Sequence, residues 1–141
     1  MSDCIFCRII KGEIGATFVY RDQWVSAFMD IQPINPGHVL VIPNTHATLL
    51  ADLEAGMGEK IFQTARQVAA ALRLSGLPCE GVNLTLADGE AAGQEVGHVH
   101  LHVIPRTKLD GFGFKFGPNY GNKPSREELE KVAEKVKRCL P

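Results

Sequence analysis

The sequence predicts an α+β fold: a mostly antiparallel sheet of about five strands, with one long central helix and a C-terminal helix. Three observations predict it. Five short stretches are rich in β-branched and aromatic residues, and the first two lie close enough to form a hairpin. One longer stretch in the middle has helical periodicity. A second amphipathic stretch, near the end, opens on a capping box. A chain of 141 residues suits one compact domain spanning 1–141, and it buries about 70% of its unfolded surface without staples.

The elements follow in chain order. Residues 1–16 show no clear period. Thr17 to Asp22 and Trp24 to Asp30 read as two strands with a turn near Arg21-Asp22-Gln23. Gln32-Pro33-Ile34-Asn35-Pro36-Gly37 is a connection, because its two prolines forbid a central strand or a helix. His38 to Ile42 is a strand stopped by Pro43. From Glu59 to Leu74, Ile61, Phe62, Ala65, Val68, Ala69 and Leu72 recur at helical spacing and form one buried stripe. Ser75-Gly76-Leu77-Pro78 ends that helix. Gly81 to Ala87 is a strand, Asp88 to Gln94 a loop, and Val96 to Ile104 a strand stopped by Pro105. Asp110 to Lys123 has four glycines and no period, so it reads as loop. Ser125 with Glu128 caps a last helix whose apolar face is Leu129, Val132, Ala133, Val136 and Leu140.

Composition excludes several function classes. The hydrophobic fraction of 45% and charged fraction of 22% are those of a globular protein, not of a disordered or fibrous one. A net charge of −1 leaves no electrostatic footprint for nucleic acid or an anionic membrane. No apolar run approaches the roughly 20 residues that a bilayer requires. Arg8 interrupts the first residues before any signal-peptide core forms, so a cytoplasmic location is expected. In that reducing compartment the four cysteines should not form a disulfide framework.

The informative feature is the run His98-Val99-His100-Leu101-His102-Val103-Ile104. Strand side chains alternate with period two, so the three histidines share one face and Val99, Leu101 and Val103 share the other. Stability alone does not call for three histidines on one face. Two chemistries do: a metal site, since residues i and i+2 chelate one ion, or an imidazole array for phosphate chemistry near neutral pH. The preceding Gly89-Glu90-Ala91-Ala92-Gly93-Gln94 favours the second, because a glycine-containing loop lets backbone N–H groups approach an anion. Cys4-x-x-Cys7 is a second constellation. Its spacing suits zinc, a redox pair, or two incidentally buried thiols.

These motifs resemble the histidine triad family. The ladder fits its H-x-H-x-H-apolar-apolar motif, and Ala92-Gly93-Gln94-x-Val96-x-His98, Asp30-Ile31, Pro36-Gly37-His38 and Val41-Ile42-Pro43 fit as well. Cys4-Ile5-Phe6-Cys7, followed by Ile9-Ile10-x-Gly12-Glu13-Ile14, resembles the bacterial Hint-like branch. The superfamily's transferase branch has Gln where His102 stands, so the resemblance is to the hydrolases.

The resemblance implies hydrolysis of purine nucleoside phosphoramidates or related nucleotidyl compounds, commonly by a homodimer. Mapped by motif, His100 is the nucleophile at the α-phosphorus, His102 holds the phosphate oxygens and assists the leaving group, and His38 completes the cluster. Asp30 binds the ribose and Ile31 lies against the base, while Gly93, Gln94 and Glu95 line the phosphate. In Hint-like members with this cysteine pair, a structural zinc is held by the residues matching Cys4, Cys7, His46 and His98. The N-terminal zinc-binding segment then spans about 1–16, and the C-terminal tail and helix span about 110–141. Two positions depart from the pattern. Ala87 stands where the family has Asn, and Glu95 where it has Ser or Thr. Two other functions fit the same motifs: a dinucleoside polyphosphate hydrolase, and a nucleotide-binding regulatory protein with vestigial catalysis. No magnesium site is expected, since no carboxylate cluster would hold one.

Overall fold

A computed structural model describes residues 3–141. Five strands form one antiparallel sheet: β1 (Phe18–Arg21), β2 (Val25–Met29), β3 (Val39–Pro43), β4 (Gly81–Thr85) and β5 (Leu101–Arg106). Their order is β1-β2-β3-β5-β4. The first three form a meander. Helix α2 (Met57–Leu74) then crosses the sheet, β4 takes the edge, and β5 inserts between β4 and β3. The α+β class and the long central helix are therefore as the sequence predicts.

The sheet has two covered faces, and the pleat sorts them. Along β3, Val39 and Val41 join Val99, Leu101 and Val103 under α2, whose Ile61, Ala65, Val68 and Leu72 complete that core. Leu40 and Ile42 point the other way, to Phe28 and to Phe6 and Ile9 of a short helix, α1 (Ile5–Ile10). Phe62, assigned to the buried stripe by its spacing, is instead 53% exposed; it stands about 100° round the helix from Ile61, off the stripe of Ile61, Ala65, Val68 and Leu72.

Helix α1 carries no visible period, since six residues are less than two turns. Its start is fixed by Cys4, whose sulfur accepts the Cys7 N–H at 3.5 Å. Burial of Phe6 and Ile9 holds it to the sheet.

Two strand boundaries differ from expectation at β5. The strand begins at Leu101, not Val96, because the preceding chain leaves the ladder: the Val99 N–H donates to Ala47 O at 2.8 Å. The alternation of faces nevertheless continues through His98 and His100. Pro105 does not stop the strand, which runs to Arg106. The Arg106 carbonyl accepts from Glu80 on the β4 side, so the Pro105 nitrogen faces beyond the end of β3, where no ladder N–H is required.

Gly37 is required by its place. Its φ is 100°, and a Cβ there would meet Leu72, Leu77 and Pro105 at 3.0–3.2 Å. This glycine lets the connection from β2 lie against α2 and deliver His38 to the histidine face.

Backbone contacts divide the chain into two compact units, one ending at Gly111 and one spanning Phe112–Pro141. The second contains α3 (Arg126–Lys137), with the expected capping box: Ser125 Oγ accepts the Glu128 N–H at 3.2 Å, and Glu128 Oε2 accepts the Ser125 N–H at 2.7 Å. Leu129, Val132 and Val136 lie along that helix, and Leu140, expected on the same face, lies beyond its end; each is more than half exposed. Among the described residues, no helix is long and apolar enough to cross a membrane.

Candidate functional site

The histidine face of the sheet holds two clusters, and their hydrogen bonds give them different chemistry. The first is Cys4, Cys7, His46 and His98, whose donor atoms all lie within 4.8 Å of one another. Helix α1 supplies the thiols from one face, since positions i and i+3 are neighbours on a helix. Cys4 Sγ lies 3.4 Å from His98 Nδ1, and Cys7 Sγ lies 3.3 Å from His46 Nδ1 and 3.6 Å from His98 Nδ1. The His98 Nε2–H donates to Pro43 O at 2.8 Å, so its Nδ1 carries a lone pair aimed at the sulfurs. His46 Nε2 meets Thr48 Oγ1 at 3.3 Å and likewise turns Nδ1 inward. A metal-ligating histidine donates its other N–H to such an acceptor. Two thiols and two imidazoles wired this way fit a tetrahedral zinc. Burial lowers the His98 pKa, which keeps it in the neutral form a metal needs, and burial pushes the Cys7 thiol up.

The second cluster is Asp30, His38 and His102. Here the wiring is that of a proton-ordered chain, not of a metal site. The backbone N–H of Ile34 donates to His38 Nδ1 at 3.0 Å, so the His38 proton sits on Nε2. That Nε2–H donates to His102 Nδ1 at 2.9 Å. A neutral His102 therefore presents Nε2–H. His38 lies 3.6 Å from the Asp30 carboxylate, but the contact is not an ion pair. Burial outweighs Asp30 and lowers the His38 pKa, and an accepting Nδ1 excludes the imidazolium. Burial, with His100 and His38 beside it, pushes His102 down to about 4. Asp30 is fixed by its Oδ1, which accepts the Gln32 N–H at 2.8 Å.

His100 lies between the clusters. Its Nδ1–H donates to the carbonyl of His98 at 2.7 Å, which leaves the Nε2 lone pair on the neutral ring. The ring is buried, with the Phe6 edge 5.2 Å away and His102 5.0 Å away between ring centres. The three ladder histidines thus present a lone pair at His98 Nδ1, a lone pair at His100 Nε2 and an N–H at His102 Nε2. The sequence places all three on one face, as predicted. It does not reveal that α1 covers two of them.

The glycine-containing loop is folded on itself. Gly89 and Gly93 have φ of 103° and 91°. Gln94 Oε1 accepts the Gly89 N–H at 2.8 Å, and Gln94 Nε2 donates to the carbonyls of Thr48 and Val96. The N–H groups of Gly93 and Gln94 donate to the carbonyls of Glu90 and Gly89. Gly93 and Gln94 thus give the loop its shape. Glu95 is exposed, Ile31 is 96% exposed, and Ala87 is partly buried. Asn83 accepts from Arg106 Nη1 at 2.6 Å and is bound away from the loop. An apolar groove of about 370 Å³ lies between α2 and the β1–β2 hairpin, but no carboxylate, imidazole or thiol lines it.

The HIT domain family matches residues 11–109. An uncharacterised HIT-like protein of Borreliella burgdorferi is 46% identical over 118 residues, 83% of this chain and 85% of that relative. The chain belongs to the HIT family. Solved HIT structures superpose over nearly the whole chain. A histidine triad nucleotide-binding protein from Candida albicans has a TM-score of 0.85 at 34% identity, covering 96% of each chain. A zinc-bound histidine triad family protein from Mycobacterium smegmatis has a TM-score of 0.76 at 34% identity, covering 99% of each chain. HIT membership makes this chain a relative of nucleotide-binding proteins, and its Cys/His cluster is compatible with zinc.

Proposed function

We propose that this HIT protein is a nucleotide phosphoramidase-like hydrolase acting at the α-phosphorus of purine nucleoside phosphoramidates or related nucleotidyl compounds. The observation that carries the reading is the tautomer order of the ladder, with a bare Nε2 on His100 beside an Nε2–H on His102. His100 Nε2 attacks the α-phosphorus, and the bond to the leaving group breaks as the nucleotidyl–nitrogen bond forms. His102 donates Nε2–H to the phosphate oxygens and the leaving group, where charge develops. Water then attacks the nucleotidyl-histidine, releasing the nucleoside monophosphate and restoring the His100 lone pair. His38 keeps His102 in its donor tautomer. Asp30 binds the ribose, Ile31 lies against the base, and Gly93, Gln94 and Glu95 line the phosphate. The exposed Ile31 supports this assignment, since a base would cover its apolar side chain.

Cys4, Cys7, His46 and His98 would hold a structural zinc, closed to substrate because all four ligands are protein atoms. The protein acts as a cytoplasmic homodimer in this reading. The exposed Leu129, Val132 and Val136 of α3 are apolar surface that self-association would cover. Sedimentation at the monomer mass would remove the dimer.

Mixing the protein with an aminoacyl adenylate and measuring intact mass tests the enzyme reading: a transient nucleotidyl adduct is expected. Its absence would favour a binding protein. Faster cleavage of adenosine phosphoramidate than of diadenosine tetraphosphate is expected, and the reverse would favour the dinucleoside polyphosphate hydrolase.

The two departures from the family pattern predict a gain. Glu95→Ser should raise kcat/KM for adenosine phosphoramidate, because a carboxylate 4 Å from a phosphate repels it by roughly 1 kcal/mol even with the screening of bulk water. Ala87→Asn adds a donor worth about 1 kcal/mol or more to a charged acceptor. Together they should give at least a tenfold increase, since about 1.4 kcal/mol is a factor of ten. A decrease on Glu95→Ser would mean instead that Glu95 recognises a cationic leaving group.

A further inference from the structure

We propose that Asn35, held by Asp110 and Arg106, is a positioning residue that sets the tautomer order of His38 and His102. The catalytic consequence rests on the hydrolase reading above; the tautomer itself does not.

The order begins at the Ile34 N–H, which meets the ring of His38 four residues later. That contact exists only if residues 30–38 fold back sharply. The bonds within the loop are short-range: Asp30 N–H to His38 O, His38 N–H to Asn35 O and Gln32 N–H to Asp30 Oδ1. Asn35 ties the loop to another element. Its Nδ2 donates to Pro105 O at 2.9 Å and to Asp110 Oδ2 at 2.8 Å. Both hydrogens of one amide are thereby engaged, which fixes the plane of the side chain.

The acceptors are rigid. The side chain of Asp110 is 5% exposed, and a carboxylate so buried must be paired. Arg106 pairs it in a fork, Nε to Oδ2 at 2.6 Å and Nη2 to Oδ1 at 2.8 Å. The Thr107 N–H adds a further bond to Oδ2. The third guanidinium nitrogen donates to Asn83 Oδ1 at 2.6 Å, so the fork is oriented from β4 as well. Arg106 ends β5, the strand that carries His102. The network therefore fastens the loop that carries His38 to the strand that carries His102, and the 2.9 Å bond between the two rings spans that junction. Hydrogen bonds between charged groups and amides are directional, so losing one end releases the loop's angle without emptying the core.

Ring ¹⁵N NMR of the full chain tests this, because it reads tautomers without any turnover. In the wild type, His38 Nδ1 should show the shift of a bare acceptor and Nε2 that of a protonated nitrogen. Asn35→Ala should average the two His38 shifts and those of His102. It should lower kcat by 10- to 100-fold with KM within threefold, since Asn35 touches no substrate in this reading. Asp110→Asn should move the same shifts less far. Glu80→Gln is the control: Glu80 accepts the Lys108 N–H just beyond the same strand end but does not touch the loop, so shifts and kcat should stay within twofold of wild type. If Asn35→Ala does not fold, Asn35→Ser and Asp110→Asn carry the same readout. Wild-type ring shifts in the folded variants would overturn the proposal, as would a kcat loss that only follows the folded fraction. A chain without hydrolytic activity that still shows the shift change would overturn the enzyme reading and uphold the positioning one.

Discussion

His100→Ala is expected to abolish both hydrolysis and nucleotidyl adduct formation while nucleotide binding remains measurable. In the hydrolase reading this ring is the nucleophile. Its Nδ1–H is bound by the His98 carbonyl, its Nε2 is bare, and His102 stands 5.0 Å away with a donor in place. Alanine removes the atom that forms the covalent bond, and water attacking directly has none of that preorganisation. The loss should be on the order of several kcal/mol, a rate reduction of a thousandfold or more. Binding should persist, because Asp30, Ile31 and the glycine-containing loop are untouched. The cavity left beside Phe6 lowers stability somewhat, so activity must be compared at equal folded fraction. Kinetic constants of the variant, measured with adenosine phosphoramidate beside an intact-mass time course, check both halves. A variant that retains more than a tenth of wild-type turnover would take the nucleophile's role from His100.

What the sequence made legible was whatever depends on local period. The alternation of residues 98–104 assigns His98, His100 and His102 to one face, because pleating is a property of any extended segment. The Ser125–Glu128 capping box is equally local and appears as read. Illegible features depend on distant chain. Helix α1 is too short to show a period, and its formation depends on a sulfur cap and on a sheet that its own residues do not encode. The strand end at Leu101 is set by Ala47 drawing away Val99, not by any residue in the ladder. Asn35 and Asp110 are 75 residues apart, and Asn35 looks like an ordinary turn residue until the fold brings the Pro105 carbonyl and Asp110 to it. The metal ligands fall between these cases. Spacing singles out Cys4 and Cys7, and only the resemblance adds His46 and His98. The direction of the two imidazole lone pairs, which makes the set chemically coherent, emerges only from the folded backbone carbonyl of Pro43 and the hydroxyl of Thr48.

Cys7→Ser should lower both zinc content and melting temperature, from about one zinc per chain in the unaltered protein. Cys7 Sγ faces both imidazoles, at 3.3 and 3.6 Å, so it is the ligand at the centre of the cluster. A serine hydroxyl is a poor zinc ligand at neutral pH, and three remaining ligands hold the ion far more weakly. Structural zinc contributes to folding free energy directly. None of the four ligands belongs to the main core under α2, so the loss is expected mostly in α1 and the face it covers. A penalty of ~3 kcal/mol, or roughly 10 °C in a domain of this size, is expected. An isolated six-residue helix has no stability of its own, so the N-terminal segment should loosen first and show it by amide exchange in Phe6 and Ile9. The consequence should also reach the nucleophile, since the backbone carbonyl that fixes the His100 tautomer belongs to His98, a proposed zinc ligand. A modest fall in kcat is therefore expected, far smaller than that of His100→Ala. Metal analysis of carefully prepared protein that finds no zinc, with no stabilisation on adding it, would remove the site. The hydrolase reading would survive that result, because the bare Nε2 of His100 and the donor on His102 are set by protein atoms alone.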